Sequence, residues 1–113
     1  RAIKAEEEAA AMKNAQAAPL WIEARKLYAD LDRHGDALRC ARNAVEADPN
    51  NFQARYLLGL DLLNHQLFED AERQLRWCYQ RRPDNKSVEA KLGQALKGKL
   101  DGRRAERGNE ILR

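Results

Sequence analysis

Residues 52–85 read FQARYLLGLDLLNHQLFEDAERQLRWCYQRRPDN, and the chain on either side repeats their punctuation. Ala37, Ala71 and Ala105 recur in step, 34 residues apart, as do Pro49 and Pro83, Gly59 and Gly93, Leu58 and Leu92, and Leu62 and Leu96. Five registers sharing one period, within the range of about 20 to 50 residues, mark a stacked repeat rather than a closed globule. Within residues 52–85, Phe52, Leu57, Leu58, Gly59, Leu62 and Leu63 line one helix, and Asn64 to Leu67 form a short turn. Phe68, Ala71, Leu75, Cys78 and Tyr79 then face inward from a second helix, which Arg82-Pro83-Asp84-Asn85 closes. The unit is a hairpin of two helices, and neighbouring hairpins must stack to cover their apolar faces.

The same reading extends upstream. Pro19 suits a first helical turn, and Leu20, Trp21, Ala24, Leu27, Tyr28 and Leu31 follow at three- and four-residue steps until Asp32-Arg33-His34-Gly35 breaks the run. Ala37, Leu38, Ala41, Ala44 and Val45 line the next helix, which Asp48-Pro49-Asn50-Asn51 stops, because proline cannot continue it. Downstream, a third unit keeps Leu92, Gly93, Leu96 and Ala105, while Gly98, Gly102 and Gly108 weaken it, so its final helix is expected to be short, frayed or completed by residues outside the chain. Residues 1–17, rich in Ala, Glu and Lys, predict a helix with a thin apolar face of Ile3, Ala10, Ala11 and Met12. It is read either as the tail of an upstream repeat or as a solvated end. The resulting division is 1–17, then units 18–51, 52–85 and an incomplete or divergent 86–113.

Small residues explain how the helices approach. Gly59 and Gly93 are expected to let one backbone near another, and Ala37 and Ala71 to sit where a larger side chain would push the antiparallel partner away.

Composition narrows the function classes. The net charge is +3, with eight Lys/Arg against nine Asp/Glu in residues 1–51 and thirteen against nine in 52–113. That basic bias favours acidic partners but lacks the concentrated stripe of a nucleic-acid binder. No apolar run approaches a membrane span or a secretion signal, so the chain reads as soluble and untargeted, and its start at Arg1 reads as a piece of something longer. Cys40 and Cys78 belong to no C-x-x-C pattern and read as small hydrophobes, with Cys78 buried. His34 and His65 read as exposed turn residues. No cofactor, metal site or catalytic constellation emerges, and the chain is read as a non-enzyme.

Taken together, these residues make the chain resemble the tetratricopeptide repeat family, whose motif is W-x2-L-G-x2-Y, then A-x3-F, then P. Trp21, Tyr28, Ala37 and Pro49 match in the first unit, which departs at Ala24, Arg25 and Ala41. Leu58, Gly59, Ala71 and Pro83 match in the second, with Leu62 and Leu75 as apolar substitutes and Arg55 in place of the tryptophan. Leu92, Gly93 and Ala105 match in the third, with Leu96 as a substitute. The resemblance spans residues 18–113 and implies an all-α, right-handed superhelical array of antiparallel helix hairpins, an α-solenoid acting as a protein-interaction scaffold.

In that family a peptide or partner helix lies in a concave groove lined by the first helix of each unit. Carried over, the groove comprises Ile22, Lys26 and Ala29, then Gln53, Tyr56, Leu60 and Leu63, then Ser87, Ala90, Gln94 and Lys97. Tyr56 and Leu60 would anchor apolar groups, and Lys26, Lys91 or Lys97 an acidic one. The competing reading makes Leu60 and Leu63 partly core and the lysines merely solvated. A clamp for a C-terminal carboxylate, as in co-chaperone members, is disfavoured: its positions hold Ile22, Lys26, Leu57, Ser87 and Lys91, of which only Lys91 keeps the charge in place. Two alternatives stand beside the groove. Trp77, expected on the convex side as a large exposed aromatic, suits self-association, possible as a homo-oligomer. Arg73, Arg76, Arg81 and Arg82 beside Trp77, with Arg103, Arg104 and Arg107, suit RNA or an acidic partner, though interleaved acids dilute the charge and one aromatic makes no stacking platform.

Overall fold

Asparagine starts two of the helices by one device. After Pro49 and after Pro83 the chain reaches Asn51 and Asn85, whose side-chain oxygens accept the backbone N–H of Ala54 (3.0 Å) and Val88 (3.1 Å). Each cap satisfies a donor that the first helical turn leaves open. The computed structural model describes residues 2–12 and 15–112. Among them are six α-helices and no strand: α1 (Ala2–Met12), α2 (Ala18–Asp30), α3 (His34–Ala47), α4 (Phe52–Asn64), α5 (Phe68–Arg81) and α6 (Lys86–Leu112), with a short 3-10 turn over Ala15–Ala17.

The turns repeat as closely as the residues do. The Arg33 N–H donates to the Tyr28 carbonyl and that of Asp32 to Ala29. One period on, Leu67 donates to Leu62 and Gln66 to Leu63, all at 2.9–3.0 Å. This is a Schellman ending, and its left-handed residue is Asp32 (φ 58°) or Gln66 (φ 59°). Gly35, expected among the breakers, instead lies within the first turn of α3.

Each helix packs on the next in the chain, and α4 also touches α6. The molecule is accordingly elongated, 52 × 32 × 22 Å, with a radius of gyration of 15.8 Å against about 13 Å for a compact domain of this length. Two core clusters follow one another, the first around Trp21, Ala24, Tyr28, Ala37, Cys40 and Ala44, the second around Leu58, Leu62, Ala71, Leu75, Leu92 and Ala95. Several equivalent positions carry equivalent burial: Ala24, Leu58 and Leu92 are all buried, as are Ala37 and Ala71, and Ala44 and Cys78.

Several expectations are corrected. The third unit, read as incomplete or divergent, has no separate final helix among the described residues, since α6 runs unbroken to Leu112. Glycine costs about 1 kcal/mol against alanine in a helix, which weakens Gly98 and Gly102 without ending a run of Lys, Leu, Ala and Arg. Among the described residues no helix returns over α6, and there Gly93 has nothing near the place of a Cβ and Leu96 is exposed. The glycine that faces a neighbour on α6 is Gly98, where a Cβ would run into the Phe68 ring. At Gly59 the close approach holds: a Cβ would lie 2.7 Å from Leu75 Cγ. Leu31 and Tyr79 are exposed rather than inward, because Leu31 falls in the turn and Tyr79 on the outer side of α5. His34 opens α3 rather than sitting in the turn.

On α1 the buried face is Ala2, Ala5 and Ala9, whereas Ile3 and Ala10 are exposed; the side chains of Ala11 and Met12, with those of Arg104, Ala105, Arg107 and Gly108, lie outside the described residues. The three alanines let α1 lie against the Trp21–Ala24–Tyr28 side of α2. Glu6 fastens it there, accepting the Tyr28 hydroxyl at 2.9 Å and two Arg39 bonds. The Arg39 guanidinium holds the Glu6 carboxyl below the usual carboxylate range.

Candidate functional site

Three- and four-residue steps place Gln53, Tyr56, Leu60 and Leu63 on one face of α4. Gln53 is exposed and the other three are half-buried. Tyr56 and Leu63 lean on the second core cluster, while Leu60 belongs to neither cluster. The competing core reading therefore fits Leu63 and not Leu60. Tyr56 stacks on Phe52, one turn earlier, with ring centroids 6.5 Å apart.

On α2, Ile22 and Ala29 pack on the first cluster, and Lys26 is exposed with no ion pair among the described residues. On α6, Ser87, Ala90, Gln94 and Lys97 are exposed and Lys91 is half-buried. Lys97 is already engaged, pairing with Asp101 at 3.0 Å one turn on, so the free charges on this face are Lys26 and Lys91.

What sets α2 beside α4 is a contact the motif does not contain. Arg25 grips Asp61 through two bonds, Nε to Oδ2 at 2.9 Å and Nη2 to Oδ1 at 2.7 Å. Asp61 is the one buried charged residue among those described, and the fork satisfies both its oxygens. Arg25 lies three residues after Ile22 and four before Ala29, so it projects from the same side of α2 as those two. The register offers a reason for arginine here. Gly59 and Leu75 hold the equivalent positions in the second hairpin, and Arg25 and Ala41 in the first, so a large side chain is matched with a small one each time.

Two clefts among the described residues are lined by side chains other than those of the groove. One, of about 360 Å³, lies between α1, α2 and α3 at Ala9, Trp21, Asn43 and Glu46. The other, of about 310 Å³, lies between α5 and α6 at Phe68, Glu69, Gly98 and Lys99. No group of three metal-capable side chains occurs among the described residues, and no described helix is long and apolar enough to cross a membrane. Cys40 and Cys78 are both buried and free, and burial pushes each thiol up to about 11.

Trp77 is half-buried, which corrects the expected exposed aromatic. The Arg55 and Arg81 guanidinium carbons lie 5.0 and 3.6 Å from its ring centroid. Trp21 and Asn43 line one cleft in the first hairpin, and their register equivalents Arg55 and Trp77 meet in the second, so the indole changes helix between units. The arginine group also divides. Arg73 pairs with Asp70 and Arg76 with Glu72, whereas Arg81 and Arg82 meet no carboxylate among the described side chains. Glu72 also takes Lys99 at 2.9 Å, which ties α6 to α5. Comparison with protein-family models and with curated proteins gave no match.

Proposed function

We propose that this chain is a non-catalytic protein-interaction scaffold, a right-handed array of tetratricopeptide type that takes an extended peptide or partner helix across the face shared by α2, α4 and α6. The observation that carries this reading is Leu60. It is a leucine on a central helix, half-exposed and outside both core clusters, with Tyr56 one turn before it and the unpaired Lys26 on the neighbouring α2. Apolar surface of that kind, rimmed by a free cation, suits a ligand with a hydrophobic anchor and an acidic flank. The recurring turns and the stacking of successive helices also support it, since such arrays bind along their length.

Affinity capture with the chain and with a Tyr56→Arg control, followed by mass identification, finds the ligand. Tyr56→Ala should then weaken binding by about 1 to 2 kcal/mol. Unchanged affinity, with the helical spectrum and melting intact, moves the site off this face.

A second reading, self-association, is favoured by Leu96 and Leu100, which α6 leaves exposed. Sedimentation of the chain against Leu96→Gln/Leu100→Gln separates the two. A monomer in both cases removes self-association.

A further inference from the structure

At one end of the second hairpin lies a group of cations that the shared face does not use. α5 finishes at Arg81, and Arg82 begins the turn into α6. The guanidinium carbon of Arg81 lies 3.6 Å from the Trp77 ring centroid, and that of Arg82 lies 3.9 Å from the Phe52 ring centroid. Arg81 also donates through Nη1 to the Trp77 carbonyl at 3.3 Å. Arg55, the other cation at Trp77, is consumed by the Pro49 carbonyl and the Gln74 side chain.

Neither Arg81 nor Arg82 has a carboxylate within 4.0 Å among the described side chains. Asp84, the acid nearest in sequence, sits in the turn after Arg82, and Asp48, in the turn before α4, accepts the Asn50 N–H. Earlier on the same helix the arginines are neutralised, Arg73 by Asp70 and Arg76 by Glu72. Arg81 and Arg82 are exposed and have their guanidinium carbons over rings instead.

That arrangement has a chemical consequence. A guanidinium stacked on an aromatic uses its face, while its N–H donors point outward in the plane and remain able to grip a carboxylate by two parallel bonds. Stacking also restricts the side chain before any ligand arrives, which lowers the ordering cost on binding. The same stacking argues against nucleic acid: Trp77 and Phe52 are half-buried, and cations already lie over them, so no platform remains for a base.

We propose that Arg81 and Arg82, spread on Trp77 and Phe52, form a docking patch for an acidic peptide segment whose carboxylates are received at the guanidinium edges. The patch shares no residue with the α2–α4–α6 face, which it meets where Phe52 stacks on Tyr56, and its test reads Trp77 on α5, away from that contact.

The test is a titration of the isotopically labelled chain with hexaglutamate at low ionic strength, followed by the indole N–H signals of its two tryptophans. The Trp77 signal is expected to move and that of buried Trp21 to stay. The Arg81→Lys/Arg82→Lys variant keeps the net charge but loses the planar fork, and is expected to bind about tenfold more weakly. Arg73→Lys/Arg76→Lys is expected to bind within about twofold of the parent, because those side chains already have acids. A Trp77 signal that does not respond overturns the proposal without recourse to any variant. Equal binding by the Arg81→Lys/Arg82→Lys variant overturns it as well, since simple charge would then suffice. Tighter binding of hexauridylate than of hexaglutamate, with Trp77 moving, assigns the patch to RNA instead.

Discussion

Gly59→Ala tests the packing at the centre of the second hairpin. A Cβ placed on Gly59 meets Leu75 at 2.7 Å from Cγ and 2.8 Å from Cδ2, closer than carbon atoms pack. Leu75 is fully buried, and Cγ is the branch point rather than the free end of its side chain, so the two helices must separate. Overpacking of this kind costs about 1 to 3 kcal/mol. Against it stands the helix propensity of alanine over glycine, about 1 kcal/mol in favour.

Gly93→Ala isolates that second contribution. Gly93 is the register equivalent of Gly59, it lies in a helix, and apart from the adjoining backbone of that helix nothing comes within 4 Å of its Cβ position. Alanine there should stabilise by up to about 1 kcal/mol. The two variants should therefore differ by about 1 to 3 kcal/mol, which at about 4 °C per kcal/mol is an interval of about 4 to 12 °C in Tm. Thermal melts followed by circular dichroism at 222 nm, about the helix minimum, read it directly. Placing Gly59→Ala in a Leu75→Ala background removes the obstruction, so the cost should vanish there, although Leu75→Ala alone is expensive. If Gly59→Ala melts as high as Gly93→Ala, the close approach of α4 and α5 is wrong.

Three further outcomes follow from the turns and the ion pairs. Gln66→Gly relieves a left-handed residue at the Schellman position and should stabilise by about 0.5 to 1 kcal/mol in urea unfolding, with a smaller gain for Asp32→Gly because aspartate tolerates that conformation better. Asp61→Asn leaves the Arg25 charge uncompensated beside the core and should lower stability by about 3 kcal/mol; Arg25→Met/Asp61→Leu removes that charge and should recover most of it, and a double variant as unstable as the single one refutes this origin of the loss. Because the folded Glu6 carboxyl is more acidic than in the unfolded chain, its contribution is complete above the unfolded pKa and lost as pH falls through the folded one. Glu6→Gln should therefore flatten the fall in Tm below about pH 4.5, an effect absent if the two profiles run parallel.

The candidate face was legible where it rests on helical spacing, since Ile22 and Lys26, and Tyr56, Leu60 and Leu63, share faces by arithmetic alone. The same arithmetic could not tell that Lys97 is taken by Asp101, or that Leu63 leans on the core while Leu60 does not. Asn51 and Asn85 were read only as stops, although an asparagine before an apolar run is also a capping signal, and that signal was available. Arg25 and Asp61 offered none. They are 36 residues apart, off the repeat period, and each looks like an ordinary surface charge until α2 and α4 are set side by side.

What residue order determined unaided is the set of hairpin boundaries from Pro19 to Asn85, because proline, asparagine and the apolar step act within a few residues of themselves. What required the third dimension is every property that depends on a neighbouring helix. Gly59 and Gly93 carry the same letter in the same register, yet one is pressed against Leu75 and the other faces open space. Leu62 is buried and Leu96 exposed for the same reason: α5 turns back over α4, while among the described residues no helix returns over α6. A repeated sequence specifies a repeated surface, and burial then depends on whether a partner helix arrives to cover it.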